Sequence, residues 1–324
     1  MQAITYHHYG TPDVLTLEEI PKRTPAEDEV LIAVRAAAVN PYDWHFMRGT
    51  PRFGRVVMGL GRPRFPGLGA DVAGVVESVG AKVTRFRPGE QVFGLAKGAF
   101  AEYACARETQ LAVKPEGVSF EQAATLPIAG TTALQALRDR ARVLPEQAVL
   151  INGAAGGVGT FAVQIAKIMG AEVTGVCSSG NAGLVESIGA DYVFDYTRED
   201  FTRSLNHYDV ILDLVGNRPL NDLRRVLRTK GVYVGCGGGG PERSSGELLR
   251  GMLAAMLEGP FVSQKLTSVL ARVNSADLKQ LAAWAQDGKV VPVLDRHYPL
   301  KQVAEAIRYV EQCHARGKVT IAVA

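Results

Sequence analysis

The chain has 324 residues, enough for about two domains of ordinary size, and its 47% hydrophobic and 21% charged content excludes a long disordered or collagen-like protein. Its 36 basic and 33 acidic residues leave a net charge of +3, too even for a nucleic-acid partner, which would need a concentrated basic face. No run nears the ~18 uncharged apolar residues of a membrane helix, and Met1 to Leu17 lacks the basic start and apolar run of a signal peptide, so a cytosolic protein is expected. The four cysteines, Cys105, Cys177, Cys236 and Cys313, form no CxxC or CxxH pattern and read as scattered reduced thiols rather than as a disulfide framework or a zinc lobe.

From Met1 to about Glu116, β-branched and alternating runs (Glu29 to Val39, Ala73 to Val79, Phe100 to Tyr103) are separated by Gly and Pro turns and predict a mostly-β unit. From about Phe120 the texture changes to helices alternating with short, wholly apolar strands, as a parallel sheet covered on both faces requires. In order these are helix Phe120 to Arg138, strand Ala148 to Ile151, helix Gly157 to Met169, strand Glu172 to Cys177, helix Ala182 to Ile188 and strand Tyr192 to Asp195. Strand Val210 to Leu214, helix Pro219 to Leu227 and strand Gly231 to Gly235 follow. Leu248 to Leu257 reads as a helix and Gln264 to Leu270 as a sixth strand; Ala276 to Gln286 and Leu300 to Cys313 read as helices and Lys318 to Val323 as a last strand, a tail that returns to the first unit. The segment between Asp43 and Asp71 carries Arg48, Arg52, Arg55, Arg62 and Arg64 and no acid, and reads either as a solvated loop or as a handle for an anionic substrate.

Val149-Leu150-Ile151-Asn152-Gly153-Ala154-Ala155-Gly156-Gly157-Val158-Gly159 follows a strand and opens a helix. It fits the dinucleotide fingerprint with Ala154 for the first glycine and Gly156 and Gly159 for the others. Small residues let the backbone approach a diphosphate, whose charge meets the free N–H groups and positive end of the helix; tight helix–strand packing is the other reading. At the end of the next strand an acid would accept from a ribose 2′-hydroxyl and repel a 2′-phosphate. Cys177-Ser178-Ser179-Gly180-Asn181 stands there, with no acid and two hydroxyls, which favours NADPH over NADH.

These motifs, with Asn40-Pro41-Tyr42-Asp43-Trp44, Gly69-Ala70-Asp71-Val72-Ala73-Gly74, Leu126-Pro127, Gly130-Thr131-Thr132-Ala133, Gly189-Ala190-Asp191 and Asp195-Tyr196, make the chain resemble the medium-chain dehydrogenase/reductase superfamily. Within it, the chain looks like the zinc-free quinone oxidoreductase and enoyl reductase branch over essentially its whole length. The resemblance implies an α/β protein: a GroES-like, mostly-β catalytic domain from both chain ends (1–120 and 273–324) and a Rossmann doubly wound parallel-sheet domain between them (121–272), with a cleft for the cofactor. At the positions of the zinc ligands of metal-dependent relatives the chain has Asn40, Ala70-Asp71 and a residue near Pro127, which cannot supply three side-chain donors. The implied chemistry is therefore metal-free hydride delivery from NADPH to a small electron-poor acceptor, a quinone or an activated C=C bond. A metal-free carbonyl/alcohol oxidoreductase and a cofactor-binding protein with little catalysis are the alternatives.

The resemblance also distributes roles. Tyr42 takes the place of a substrate-contacting hydroxyl and could donate a proton, or simply pack at a domain edge. Asn40 could orient the nicotinamide ribose or substrate carbonyl, or merely form the turn before Pro41. His45, where a Tyr is usual, could donate a proton or lie at the surface. Thr131 is expected toward the nicotinamide, Ser178, Ser179, Asn181 and Tyr196 at the adenosine and its 2′-phosphate, and Gly235 and Gly237 along the nicotinamide pocket or in a flexible loop. Gly317-Lys318 recurs in the family without a derivable role, and homodimers are common among relatives.

Overall fold

The strands are β1 (Gln2–Thr5), β2 (Thr16–Glu19), β3 (Glu29–Val39), β4 (Asp71–Val79), β5 (Gln91–Leu95), β6 (Tyr103–Arg107), β7 (Leu111–Val113), β8 (Ala148–Asn152), β9 (Glu172–Cys177), β10 (Tyr192–Asp195), β11 (Tyr208–Asp213), β12 (Leu227–Gly235), β13 (Lys265–Ser268), β14 (Leu294–Pro299) and β15 (Lys318–Ala322). They are taken from a computed structural model that describes residues 1–237 and 263–323. The chain divides into two compact units, Met1–Thr131 with Val273–Ala324, and Thr132–Arg272.

The first unit is built on β3. Its alternating Val30, Ile32 and Val34 give way to Ala36, Ala37 and Ala38, small enough to be buried on both faces where neighbouring strands close in. The sheet runs β14-β15-β3-β4-β5-β7, with β6 also paired to β3. The C-terminal β15 lies antiparallel to β3, Ile321 opposite Ala37, so residues from the two ends of the chain share one core that includes Ile32, Val72, Val92, Phe100, Ile307 and Ile321.

The second unit holds a six-stranded parallel sheet in the order β10-β9-β8-β11-β12-β13. Counted within the unit this is 3-2-1-4-5-6, the order of a doubly wound dinucleotide fold, whose ligands bind where the order reverses, outside the carboxyl ends of the first and fourth strands. Here those strands are β8 and β11. Val149, Leu150 and Ile151 of β8 are wholly buried, as a central strand covered on both faces demands.

Three expectations need adjustment. Phe120 to Arg138 is not one uniform helix: an α-turn at Phe120–Thr125 opens into a wide π-turn at Leu126–Gly130, resumes at Thr131–Gln135 and widens again at Ala136–Ala141. Pro127 lacks an N–H and disrupts the ladder, and the Ile128 N–H donates to Asp71 Oδ1 at 3.0 Å. The first unit extends to Thr131, beyond the expected 120, because the Phe120–Thr125 helix packs on β3 and β4. The strand expected at Phe100 to Tyr103 starts only at Tyr103; Phe100 lies before it, its N–H donating to Leu68 O at 3.0 Å. The helix expected at Leu248 to Leu257 lies outside the described residues, as does the glycine run beyond Gly237.

Candidate active site

The nucleotide loop sits at the reversal point of the parallel sheet. Gly153, in the left-handed region at φ 89°, turns the chain off β8, and Gly156 is the N-cap of the Gly157–Ile168 helix. The first intrahelical bond runs from Thr160 N–H to Gly156 O at 3.0 Å. The N–H groups of Gly157, Val158 and Gly159 are thus the orphan donors that every helix start presents. No side chain caps them, the first turn carries no acid, and no acceptor for them stands among the described residues. The two glycines differ in what requires them. A Cβ on Gly159 would lie 2.1 Å from Gly153 O, so close packing of helix on loop excludes it. A Cβ on Gly156 would meet only Gly153 O, at 3.4 Å, in extended backbone that any residue adopts; among the described residues, nothing needs a glycine there. The diphosphate of a dinucleotide fits this cradle in shape and charge.

Beside it, Asp213 ends β11 opposite Asn152 of β8. Asp213 Oδ1 accepts from Asn152 Nδ2 (2.9 Å), Val215 N–H (3.1 Å) and Gly216 N–H (2.9 Å), and Oδ2 accepts from the Tyr233 hydroxyl (3.1 Å). One buried carboxylate thereby ties the loop after β11 to the tips of β8 and β12. Asp213 and Asn152 were not foreseen as site residues, although a polar residue closing an apolar parallel strand is a usable signal.

At the far side of the loop, Tyr196 N–H donates to Cys177 O (3.1 Å), bringing Tyr196 beside Ser178 and Ser179. Asn181 Nδ2 donates to Ser178 Oγ (3.3 Å), and among the described residues the Ser178 proton has no acceptor and the buried Asn181 Oδ1 no partner. Ser179 is different: its hydroxyl donates to Asp195. That carboxylate also accepts from Thr197 N–H (2.9 Å) and Thr197 Oγ1 (2.6 Å), and these hydroxyl contacts, Ser179 first, hold it down to about 2. Arg198 Nε lies 3.4 Å from it. The turn after β9 lacks an acid in sequence, yet the sheet order brings one to it from β10. Gly235 ends β12, and Gly237 follows at φ 62° with open space where a Cβ would be.

In the first unit, Asn40, Tyr42 and His45 share one helix, Pro41–Arg48, but not one environment. Pro41 opens the helix, where its missing N–H costs nothing, and Asp43 Oδ2 accepts the Asn40 N–H at 2.8 Å. Asn40 points inward, 2% exposed: its Nδ2 donates to Asp71 Oδ2 (2.9 Å) and Ala38 O (3.2 Å), and its Oδ1 accepts from Lys318 Nζ (2.6 Å). Both amide protons are committed, which does not suit the expected direct hold on a ribose or a substrate carbonyl. Tyr42 points outward, 45% exposed, its ring 4.3 Å from that of Phe46 and its hydroxyl free of hydrogen bonds to the described residues. Partial burial, with Asp43 adding to it, pushes its pKa up to about 12, so the hydroxyl keeps its proton.

His45 stacks on Trp44 (3.7 Å between centroids), and its Nδ1 lies 3.1 Å from Thr50 O. A carbonyl only accepts, so Nδ1 carries the proton and Nε2 of the neutral ring has none to give. Burial also lowers the His45 pKa. The expected proton-donor role therefore lacks both the charge and the tautomer. Thr131 is wholly buried and its Oγ1 has no partner among the described residues.

Sequence reasoning also missed a cluster of buried ionisable groups. Asp43 and Asp71 are fully buried, and burial raises them to about 7 and about 6. Lys318, at 3% exposure, has its pKa lowered by burial and lies 3.8 Å from Asp71. The signal available was a lone cation opening an otherwise apolar strand, Lys318–Ala322. At the positions that the resemblance aligns with zinc ligands this chain has Asn40, whose amide is committed, Ala70-Asp71, where Asp71 Oδ2 accepts from Asn40 Nδ2 and Oδ1 from Ile128 N–H, and Pro127. These do not fit a metal ion.

A reversed-order parallel sheet with an uncapped, glycine-lined helix start defines a dinucleotide-binding protein of the doubly wound class. The alcohol dehydrogenase GroES-like domain model matches residues 26–116, and a model described as zinc-binding dehydrogenase matches 188–321. The chain is 35% identical over 336 residues to 2-methylene-furan-3-one reductase of Solanum lycopersicum, covering 99% of this chain and 79% of that one. It is 34% identical to the NADPH-dependent alkenal/one oxidoreductase, chloroplastic, of Arabidopsis thaliana, with the same coverage. The solved quinone oxidoreductase of Coxiella burnetii superposes with a TM-score of 0.87 at 29% identity, over 100% of this chain and 99% of that one. The chain belongs to the medium-chain dehydrogenase/reductase superfamily, in its quinone oxidoreductase branch. Among the described residues no helix is long and apolar enough to cross a membrane.

The two loop glycines should separate fold from cofactor. Gly159→Ala should destabilise the protein by about 1–3 kcal/mol, the cost of overpacking, read as an earlier thermal transition. Gly156→Ala should melt with the parent and yet weaken NADPH binding at least roughly tenfold, about 1.4 kcal/mol, in a fluorescence titration.

Proposed function

We propose that this oxidoreductase uses NADPH to reduce a quinone or the C=C bond of an α,β-unsaturated carbonyl. The observation that carries the reading is the row of amides at Gly157, Val158 and Gly159, without an acceptor among the described residues, at the reversal point of the sheet. NADPH, when bound, supplies the hydride. Ala155 to Gly159 hold its diphosphate, Ser178, Asn181 and Tyr196 the adenosine end, and Gly235, Gly237 and Thr131 line the nicotinamide. Ser179 contributes differently from the expectation, because its proton is engaged by Asp195. The Asp195 charge opposes a 2′-phosphate, but it is already met by two hydroxyls, an amide and the Arg198 guanidinium, and NADPH stays the preferred cofactor. The similarity to an NADPH-dependent alkenal/one oxidoreductase of Arabidopsis thaliana supports that preference.

Hydride addition to an enone or quinone leaves negative charge on the acceptor oxygen, and catalysis needs a donor aimed at that oxygen. Tyr42 is our choice: its hydroxyl is accessible and keeps its proton across the physiological range. His45 supports the helix end through Thr50 and gives no proton. A cytosolic location belongs to this proposal too, although the relatives include chloroplastic proteins, and so does a homodimer.

Oxidation of NADPH at 340 nm should accelerate with benzoquinones and short enones and not with simple ketones. Ketone turnover without enone turnover would instead make this a carbonyl reductase, and tight NADPH binding with no turnover a non-catalytic binder. Tyr42→Phe should lower kcat roughly 100-fold, the lower end of general-acid contributions, with NADPH affinity unchanged. In His45→Gln the pH profile of kcat between pH 6 and 8 should overlay that of the parent, and a lost inflection there would return His45 to the mechanism.

A further inference from the structure

The Gly317-Lys318 pair has no part in the scheme above, yet Lys318 is buried among groups that lead to it. Its Nζ donates to Asn40 Oδ1 (2.6 Å) and to Val39 O (3.0 Å) and lies 3.8 Å from Asp71 Oδ2. Asn40 passes the connection on, through Nδ2 to Asp71 Oδ2 at 2.9 Å, and Asp71 Oδ1 accepts from Ile128 N–H at 3.0 Å. Three pieces of backbone separated in sequence thus meet at one ammonium, β15, the end of β3 and the start of β4, and Asp71 links a fourth, the π-turn Leu126–Gly130. Two of them end next to groups assigned to the reaction. Asn40 is the N-cap of the helix whose second residue is Tyr42, and Ile128 stands three residues before Thr131.

We propose that Lys318 is a positioning residue: through Asn40 and Asp71 its ammonium fixes the start of the Tyr42 helix. The proposal rests on the assignment of Tyr42 above. Stability alone accounts poorly for the arrangement, because a buried ion pair can often be replaced by apolar residues at no loss. An apolar residue at 318 would leave Asn40 Oδ1 and Val39 O without their donor, and the amide would lose the contact that sets its rotamer. Catalysis depends steeply on such settings, since a misplacement of ~1 Å can cost ~100-fold in rate.

The test is a double-mutant cycle on the full chain between Lys318→Met and Tyr42→Phe, with an activity-independent probe. Lys318→Met should lower kcat roughly tenfold or more, within the range misplacement produces, while NADPH affinity, for which the diphosphate and adenosine contacts are assigned to the other unit, changes less than about twofold. The Lys318→Met/Tyr42→Phe protein should be no slower than Tyr42→Phe alone, because Lys318 acts through the tyrosine. In protein labelled at tyrosine Cζ, the Tyr42 resonance, assigned by its loss in Tyr42→Phe, should shift or broaden in Lys318→Met. If Lys318→Met does not fold, the charge-balanced Lys318→Met/Asp71→Asn pair replaces it with the same expectations. An unchanged kcat, rate losses that multiply in the cycle, or an unmoved Tyr42 resonance would each overturn the proposal. An unsubstituted protein inactive with every acceptor overturns the functional reading instead, and there the resonance alone decides whether Lys318 positions Tyr42.

Discussion

An α-helix cannot satisfy its own first amides, and what this protein does with three of them organises the second unit. At the start of the Gly157–Ile168 helix the usual remedies are missing: the N-cap is glycine, no side chain turns back, and no carboxylate stands in the first turn. A helix start left in this state costs stability unless water or an anion completes it. Around it the neighbouring polar groups are satisfied with care. Asp213 accepts four hydrogen bonds and closes the adjoining loop. The contrast, among the described residues, between a saturated carboxylate and amides without an acceptor on one sheet edge is the pattern of a surface prepared for a negatively charged ligand.

The first unit answers the opposite problem, how to keep charge inside an apolar core. Asp43, Asp71 and Lys318 are buried, and such groups persist only when paired and hydrogen-bonded. Asn40 is the adaptor. Its amide has a donor face for Asp71 and an acceptor face for Lys318, so one neutral side chain separates and orders the two ions. This explains why Asn40 faces inward while Tyr42, two residues on, faces out: the cap residue belongs to the core and the helix belongs to the surface.

Much of this was legible in the sequence where the signal is local. The bounds of β3, β9 and β10 follow from apolar runs closed by turn residues, and the nucleotide loop follows from glycines at fixed spacing. The same reasoning smoothed Phe120 to Arg138 into one helix, because a proline within a helical pattern announces a disruption without saying whether it becomes a kink, a stop or a π-turn. What local signals could not supply were pairings made by topology. Asp195 reaches Ser179 because β10 lies beside β9. Lys318 reaches Asn40 across 278 positions because the last strand returns to β3.

The ligand positions of the metal-dependent relatives gain a second meaning from this network. The resemblance aligns Asn40 and Ala70-Asp71 with residues that bind zinc or flank it. In this chain the cation beside Asn40 and Asp71 belongs to the protein, a lysine ammonium held by the same two side chains. A divalent ion brought to these positions would lack thiolate and imidazole donors, and the Asp71 carboxylate and Asn40 oxygen that could face it are already engaged by the Lys318 ammonium. In the reduction proposed above, the acceptor oxygen is met by a hydrogen-bond donor rather than a Lewis acid, and that is why the proposal turns on a protonated, accessible Tyr42.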